Sequence, residues 1–455
     1  MAVEPAHIAH LLSALTQPDT NTIRQAEAQL KPLLKQSANM MPLWAIISDA
    51  NQPEGVRHVG AIVLRKRLPA HYQNEYNKEL QMQWQHHVLN LLAQEKVRPV
   101  RAGLVGVAAA LAQVEQQASE PYLHFLSAAA NETNPDAREL CFLLLQEMTE
   151  TIGMHWKEHM NNLLQLFTAV LHSTTESTAV HKAAVQAVGQ LMSFWADEPE
   201  IDALAPLLPV LLNVASRHWN DEDFLATVLD VLYDLAYSPA PSLTAHMEVT
   251  LQFALQCLRN RELELRVRDA AALVIATTAE AKPKTLGRNE GLIAAILDTL
   301  FQMMQESKES AAGALFESNP AWKQDLIEDG NDDFDDDDDP DAPTETSMAQ
   351  GTLDMLACEI PKKYIWQPAL TRCLDRMRSG DANARKAGVA GLGVIAEGCA
   401  EPLTGALQHV LPSALQAARD PAAPVRECAC FCLGQISEHC QPDILQYNSE
   451  ILPIV

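Results

Sequence analysis

The sequence predicts an all-α chain, an α-solenoid (superhelix) in which short helix pairs stack one upon the next. Three observations carry that expectation: landmarks that recur about every forty residues, apolar stripes with the helix period, and thin strand evidence. Of 455 residues, 47% are hydrophobic, which suffices for a large core and excludes wholesale disorder. No apolar run reaches the ~18 residues of a membrane span, so no membrane insertion is expected. The best stretch, Ala102 to Val114, is bounded by Arg101 and Glu115. The opening MAVEPAHIAHLL lacks the basic start of a secretory signal. Nine cysteines at irregular spacings read as free thiols of a reducing compartment rather than a disulfide framework.

The beat is clearest near the C-terminus. Asp381-Ala-Asn-Ala-Arg385-Lys-Ala387 is echoed 39 residues later by Asp420-Pro-Ala-Ala-Pro-Val425-Arg426-Glu-Cys-Ala429. A Leu-Gly pair follows each, at Leu392-Gly393 and Leu433-Gly434. Pro361, Pro402 and Pro442 lie 41 and 40 residues apart, and Pro412 and Pro453 lie 41 apart. The same Arg-then-Ala signature appears at Val56-Arg57, Val100-Arg101, Ala137-Arg138 and Val267-Arg268, with degenerate copies at Val180-His181-Lys182 and Asp221 to Ala226. From Arg268 to Arg385 there is room for an extra unit and an insertion.

Between the signatures, Val185, Val188, Gly189 and Met192 form a stripe at i, i+3, i+4 and i+7. Glycine costs ~1 kcal/mol inside a helix, so Gly189, Gly393 and Gly434 at one place in the repeat suggest close helix–helix contact. Asp420-Pro421 reads as an N-cap followed by Pro at the first helical position. A period of ~40–47 residues with two helices per unit is the signature of HEAT or armadillo arrays, and the Pro and Asp…Val-Arg placement favours HEAT. About ten HEAT repeats are expected, with an eleventh beginning at Pro442 and the chain stopping within it. The Arg that opens each second helix is expected to pair with a carboxylate of the neighbouring repeat, forming a ladder.

The array is interrupted in about the eighth repeat. From Glu328 to Asp341, EDGNDDFDDDDDPD holds ten acidic residues and no basic one. Removing them takes the net charge from −26 to −16. Such a run repels itself and reads as an acidic loop between a helix near Leu292 to Met304 and another near Met348 to Ala357. It suits a basic partner and disfavours direct nucleic-acid binding. Its lack of spaced ligands argues against an EF-hand.

Two passages then resemble the importin-β (karyopherin-β) family, and within it the importin-four-like subgroup. One is Ile23-Arg24-Gln25-Ala26-Glu27-Ala28-Gln29-Leu30 with Gly55-Val56-Arg57 to Leu64-Arg65-Lys66; the other is the acidic loop in the eighth repeat. The resemblance implies residues 1–113 as an importin N-terminal domain of repeats 1–3, and 114–288 as repeats 4–7. It further implies 289–360 as repeat 8 with an acidic loop at 317–345, 361–441 as repeats 9–10, and 442–455 as the start of an incomplete repeat. A carrier is implied, not an enzyme, with no cofactor, shuttling between cytoplasm and nucleus. Implied partners are Ran-GTP, phenylalanine-glycine nucleoporins, and basic cargo such as histones or ribosomal proteins. Asp332, Asp333, Asp335, Asp336, Asp337, Asp338 and Asp339 become candidate Ran contacts, with Phe334 as an apolar anchor. Arg57, Arg65 and Lys66 are candidates in the N-terminal domain.

Other chemistry is weighed and set aside. His155-Trp-Lys-Glu158-His159 matches H-x-x-E-H but opens a HEAT helix without a third ligand. The glycines around Gly391 follow no strand, and Cys428, Cys430 and Cys432 lack zinc spacing. Arg65-Lys66-Arg67 is a short basic helix end, and the dispersed tryptophans suit packing. A HEAT scaffold subunit and an acidic histone chaperone stand as rival readings.

Overall fold

The computed structural model describes residues 3–307 and 344–453. Every regular element among these residues is a helix. Contacts divide the chain into two compact units, Met1–Val214 and Ala215–Val455.

In the first unit, helix pairs follow one another at the expected beat: Pro5–Leu15 with Thr20–Leu33, Met40–Ser48 with Glu54–Asn74, Lys78–Gln94 with Arg98–Glu115, Glu120–Asn131 with Pro135–Ile152, and Met160–His172 with Thr178–Phe194. In the second, Met247–Arg259 pairs with Leu265–Ala281, Glu290–Glu306 with Glu345–Glu359, Lys362–Met377 with Ala382–Val394, and Ala400–Ala417 with Ala423–His439. The fold class is therefore as expected in each unit, an all-α array of HEAT-type helix pairs.

Within the first unit Glu54–Asn74, Arg98–Glu115, Pro135–Ile152 and Thr178–Phe194 pack in succession, and within the second Glu222–Ala236, Leu265–Ala281, Glu345–Glu359, Ala382–Val394 and Ala423–His439 do the same, so second helices form a layer in each unit. Small residues allow that approach. A Cβ at Gly103 would lie 2.7 Å from the Cβ of Ala61 on the preceding second helix, closer than two side chains can sit. The stripe Val185, Val188 and Met192 is fully buried, each such aliphatic side chain contributing ~1.5–3 kcal/mol of transfer free energy. Trp44, Trp84, Trp156 and Trp195 are likewise buried, the first two meeting edge to face at 5.9 Å.

Prolines sit inside first helices at Pro368 and Pro412, as the repeat pattern implies. Two local expectations fail. Asp420 is not an N-cap: the helix starts at Ala423 after Ala422, and the Asp420 carboxylate is taken by Arg385 through two hydrogen bonds of 2.6 and 2.9 Å. Gly434 meets no close neighbour, since a Cβ there would have no heavy atom within 4 Å, whereas one at Gly393 would strike Phe431 at 2.6 Å.

Candidate functional site

The ladder is real and recurs with the repeat. Arg57 pairs with Glu95, Arg101 with Glu139 at 3.3 Å, Arg138 with Glu176 at 2.7 Å, Arg268 with Glu345, and Arg385 with Asp420. Each partner lies one repeat further on. Two of these arginines also close the first helix of their own repeat. Arg57 Nε donates to Ile47 O and Arg268 Nε to Leu258 O, carbonyls in the final turns of those helices. His181 stands at the corresponding place in the degenerate copy, its Nε2 3.2 Å from Val170 O.

This geometry sorts the N-terminal candidates. Arg57 is only 4% exposed, and its guanidinium is occupied on both sides. Burial assigns it to the seam between repeats and leaves no surface for a partner. Arg65 and Lys66 are exposed on the same helix, Glu54–Asn74. Arg65 reaches Glu147 at 2.8 Å with half its side chain still in solvent. Asp332, Asp333 and Asp335 to Asp339 lie outside the described residues.

In the second unit, the layer of second helices carries a different kind of acid. Asp230 and Asp234 lie on Glu222–Ala236, Asp269 on Leu265–Ala281, and Asp354 on Glu345–Glu359. None of the four makes an ion pair among the described residues. Burial pushes all four carboxyls above the ordinary aspartate value, the Asp230 charge adding to the effect on Asp234 and the Glu397 charge to that on Asp354. Asp298 shows the opposite case: a hydrogen bond from Arg372 holds it below the ordinary value, at 2.7 Å.

One of the four, Asp269, lines a cleft of about 280 Å³ between Leu265–Ala281 and Glu345–Glu359, together with Leu273, Ala276, Gly351 and Met355. Leu273 is 50% exposed, and a Cβ at Gly351 would meet nothing within 4 Å. An apolar notch with one such carboxylate, Asp269, in its wall accepts a cation carried on an aliphatic stem, or a cation beside an apolar side chain. Sequence reasoning missed this set. The only available signal was an Asp wedged between apolar neighbours, as in Leu229-Asp230-Val231 and Leu353-Asp354-Met355.

The chemistry set aside finds these places. Residues Gly153–His159 form a 3₁₀ segment rather than an α-helix start, with the His155 and His159 rings 5.1 Å apart. Among the described residues, no three His, Cys, Asp or Glu side chains are grouped to hold a metal. Cys428 and Cys432 are buried and Cys430 exposed, as helix geometry requires, and all are free thiols. Gly391 lies against the ring of Phe301 inside a helix.

Comparison with known proteins agrees with this architecture. Residues 96–253 match a family profile described as IPO5-like, TPR repeats, and residues 382–436 one described as HEAT-like repeat. The chain is 26% identical to importin-4 of Mus musculus over its whole length. It is 25% identical to importin subunit beta-3 of Saccharomyces cerevisiae over 98% of its length. It spans 41% of the length of each of these relatives. Among solved structures, Kap121p bound to RanGTP superposes with a TM-score of 0.81 at 24% identity, covering 99% of this chain and 42% of Kap121p.

Proposed function

The chain belongs to the importin-β (karyopherin-β) family, and from that premise we propose that it serves nuclear import as a carrier, not as a catalyst. The whole of this chain matches importin-4, of which it spans 41%, and this match carries the reading more than any single residue does. Its working partners on this proposal are Ran-GTP, nucleoporins and basic cargo, and it moves between cytoplasm and nucleus. Related structures bear on each partner: Kap121p has been solved with RanGTP, with Nup53p and with Pho4p.

Each partner has a surface suited to it. For Ran-GTP, the candidates are exposed Arg65 and Lys66 with the acidic run at Asp332, Asp333 and Asp335 to Asp339. For basic cargo, histones and ribosomal proteins being the expected examples, the unpaired Asp230, Asp234, Asp269 and Asp354 offer charges that a lysine or arginine would compensate. A carboxylate left unpaired near low-dielectric protein gains more from such a partner than an exposed one does. For phenylalanine-glycine nucleoporins, a groove of about 780 Å³ runs between Glu120–Asn131 and Met160–His172 in the first unit. Its lining includes Leu123, Leu126, Leu163, Leu166 and Val170, and no carboxylate.

The experiment is retention of Ran on the immobilised chain, loaded with GTP or with GDP. Preferential retention of the GTP form is expected. Equal retention of both forms, or of neither, removes the transport reading and leaves a scaffold or a charge-shielding chaperone. A lysine-rich peptide supplies a second arm, since Ran-GTP should displace it from a carrier and leave it on a chaperone.

A further inference from the structure

The strongly acidic composition makes any unpaired group of cations conspicuous. One such group lies in the second unit, where two connections between consecutive repeats meet. The short helix Pro283–Gly287 and Arg288 lead into Glu290–Glu306, and Pro361 leads into Lys362–Met377. The two connections touch: a Cβ at Gly287 would lie 2.7 Å from Cδ2 of Tyr364 and 3.1 Å from Cγ2 of Ile360. Residues 281–288, Ala-Lys-Pro-Lys-Thr-Leu-Gly-Arg, and residues 361–364, Pro-Lys-Lys-Tyr, contain five cations and no acid.

Two of the five are already used. Lys282 donates to Ala236 O and Ser238 O, and Lys362 to Ala357 O and Cys358 O, so both cap helix ends. Lys284, Arg288 and Lys363 are exposed, and none has a carboxylate within 4.0 Å among the described residues. Glu248 and Glu290 line a shallow cavity with Arg288 without pairing with it. Lys363 and Arg288 both lie near Tyr364, which the Gly287 connection touches, and the two cations hold its pKa below the ordinary phenol value. The Lys363 Nζ also lies 4.6 Å from the centre of the Tyr364 ring. Along the ladder the arginines are matched with carboxylates; here two cations lie beside a neutral group.

We propose that Arg288, Lys363 and Tyr364 form a recognition site for a single phosphate group carried on a protein partner. The guanidinium fork, the ammonium and the phenol hydroxyl supply donors of three geometries to the three terminal oxygens of a phosphomonoester. The field of the whole chain narrows the choice of anion. At −26, or −16 without the acidic run, the protein repels nucleic acid and long carboxylate tracts at a distance. Within a Debye length of ~8 Å the local cations prevail, so a compact dianion on an otherwise neutral segment is the ligand that fits. The site is independent of the transport reading: it rests on charges that neither the acidic surface nor the ladder uses.

The test is fluorescence anisotropy with a short labelled Gly/Ser peptide in three forms, bearing a central phosphoserine, serine or glutamate. The phosphopeptide should bind at least about tenfold more tightly than the other two, and millimolar inorganic phosphate should displace it. Arg288→Ala and Lys363→Ala should each weaken it about tenfold and Tyr364→Phe about threefold, with unchanged helical circular dichroism. Phosphate displacement from the unaltered chain tests the site even if a variant folds poorly. Equal binding of the three peptides, failure of phosphate to compete, or wild-type affinity in both cation variants would overturn the proposal. Glutamate binding as tightly as phosphoserine would overturn the choice of phosphate.

Discussion

Along the seam between repeats, acidic side chains meet arginines; four aspartates on the second helices of the second unit make no ion pair among the described residues. Glu95 and Glu345 belong to the first group, Asp230, Asp269 and Asp354 to the second. The residue chemistry is nearly the same, and so is the secondary structure around it. What differs is whether the preceding repeat delivers a guanidinium to that spot. In the seam, an arginine that already closes one helix reaches forward into the following repeat. At Asp230, Asp234, Asp269 and Asp354 no such arm arrives among the described residues, and burial makes the unpaired carboxylate costly. The contrast separates acids that hold the array together from acids that await a partner.

The largest expected effect is in the seam. Arg57→Ala strands Glu95, whose side chain is 5% exposed, and should cost about 3–5 kcal/mol in urea unfolding of the chain. A loss below about 1 kcal/mol would erase the distinction between the two groups of acids. Next comes Asp354→Lys, which should lower affinity for a lysine-rich peptide about tenfold, or about 1.4 kcal/mol, while leaving stability unchanged or slightly raised. If stability collapsed instead, Asp354 would belong with the seam.

Lower pH should sharpen the same contrast. The folded pKa values of Asp230, Asp234, Asp269 and Asp354 are raised. These carboxyls therefore protonate earlier than ordinary aspartates as pH falls, and peptide affinity should drop before acid unfolding begins. The accompanying stability change has the opposite sign: at neutral pH they subtract from stability, and that penalty lifts as pH falls through their raised values. Calorimetric titrations between neutral and mildly acid pH check this, and an affinity that stayed level would contradict it. The smallest effect is steric. Gly434→Ala should stabilise by up to about 1 kcal/mol, because a Cβ there has open space. Gly391→Ala should destabilise, because a Cβ there would lie 2.4 Å from Phe301. Thermal unfolding of the pair checks both signs.

The array, its period and the ladder were legible in the chain because each is a local pattern repeated many times. Arg57, Arg101, Arg138, Arg268 and Arg385 share one place in the repeat, so a rule inferred from one applies to all. Single positions were less legible. Asp420 resembled an N-cap because Asp-Pro is a frequent cap pair, but the competing bidentate bond to Arg385 claimed its carboxylate. Arg57 resembled a surface contact because it is charged, while its burial depends on Ile47 and Glu95, ten and 38 residues away. The acids of the second-helix layer carried no motif at all.

The amino-acid order alone determined that helices would pair and stack, since the helix-period stripes cannot be buried within one pair. It also determined that Arg57, Arg101, Arg138, Arg268 and Arg385 would each find a carboxylate about one repeat onward. Which charges would be left over was decided only by tertiary structure. Whether Asp269 is paired, or Arg288 and Lys363 lie beside Tyr364, depends on which side chains the stacking brings within a few ångströms. Pairing energy falls steeply with distance and with solvent access, and neither can be read from spacing along the chain.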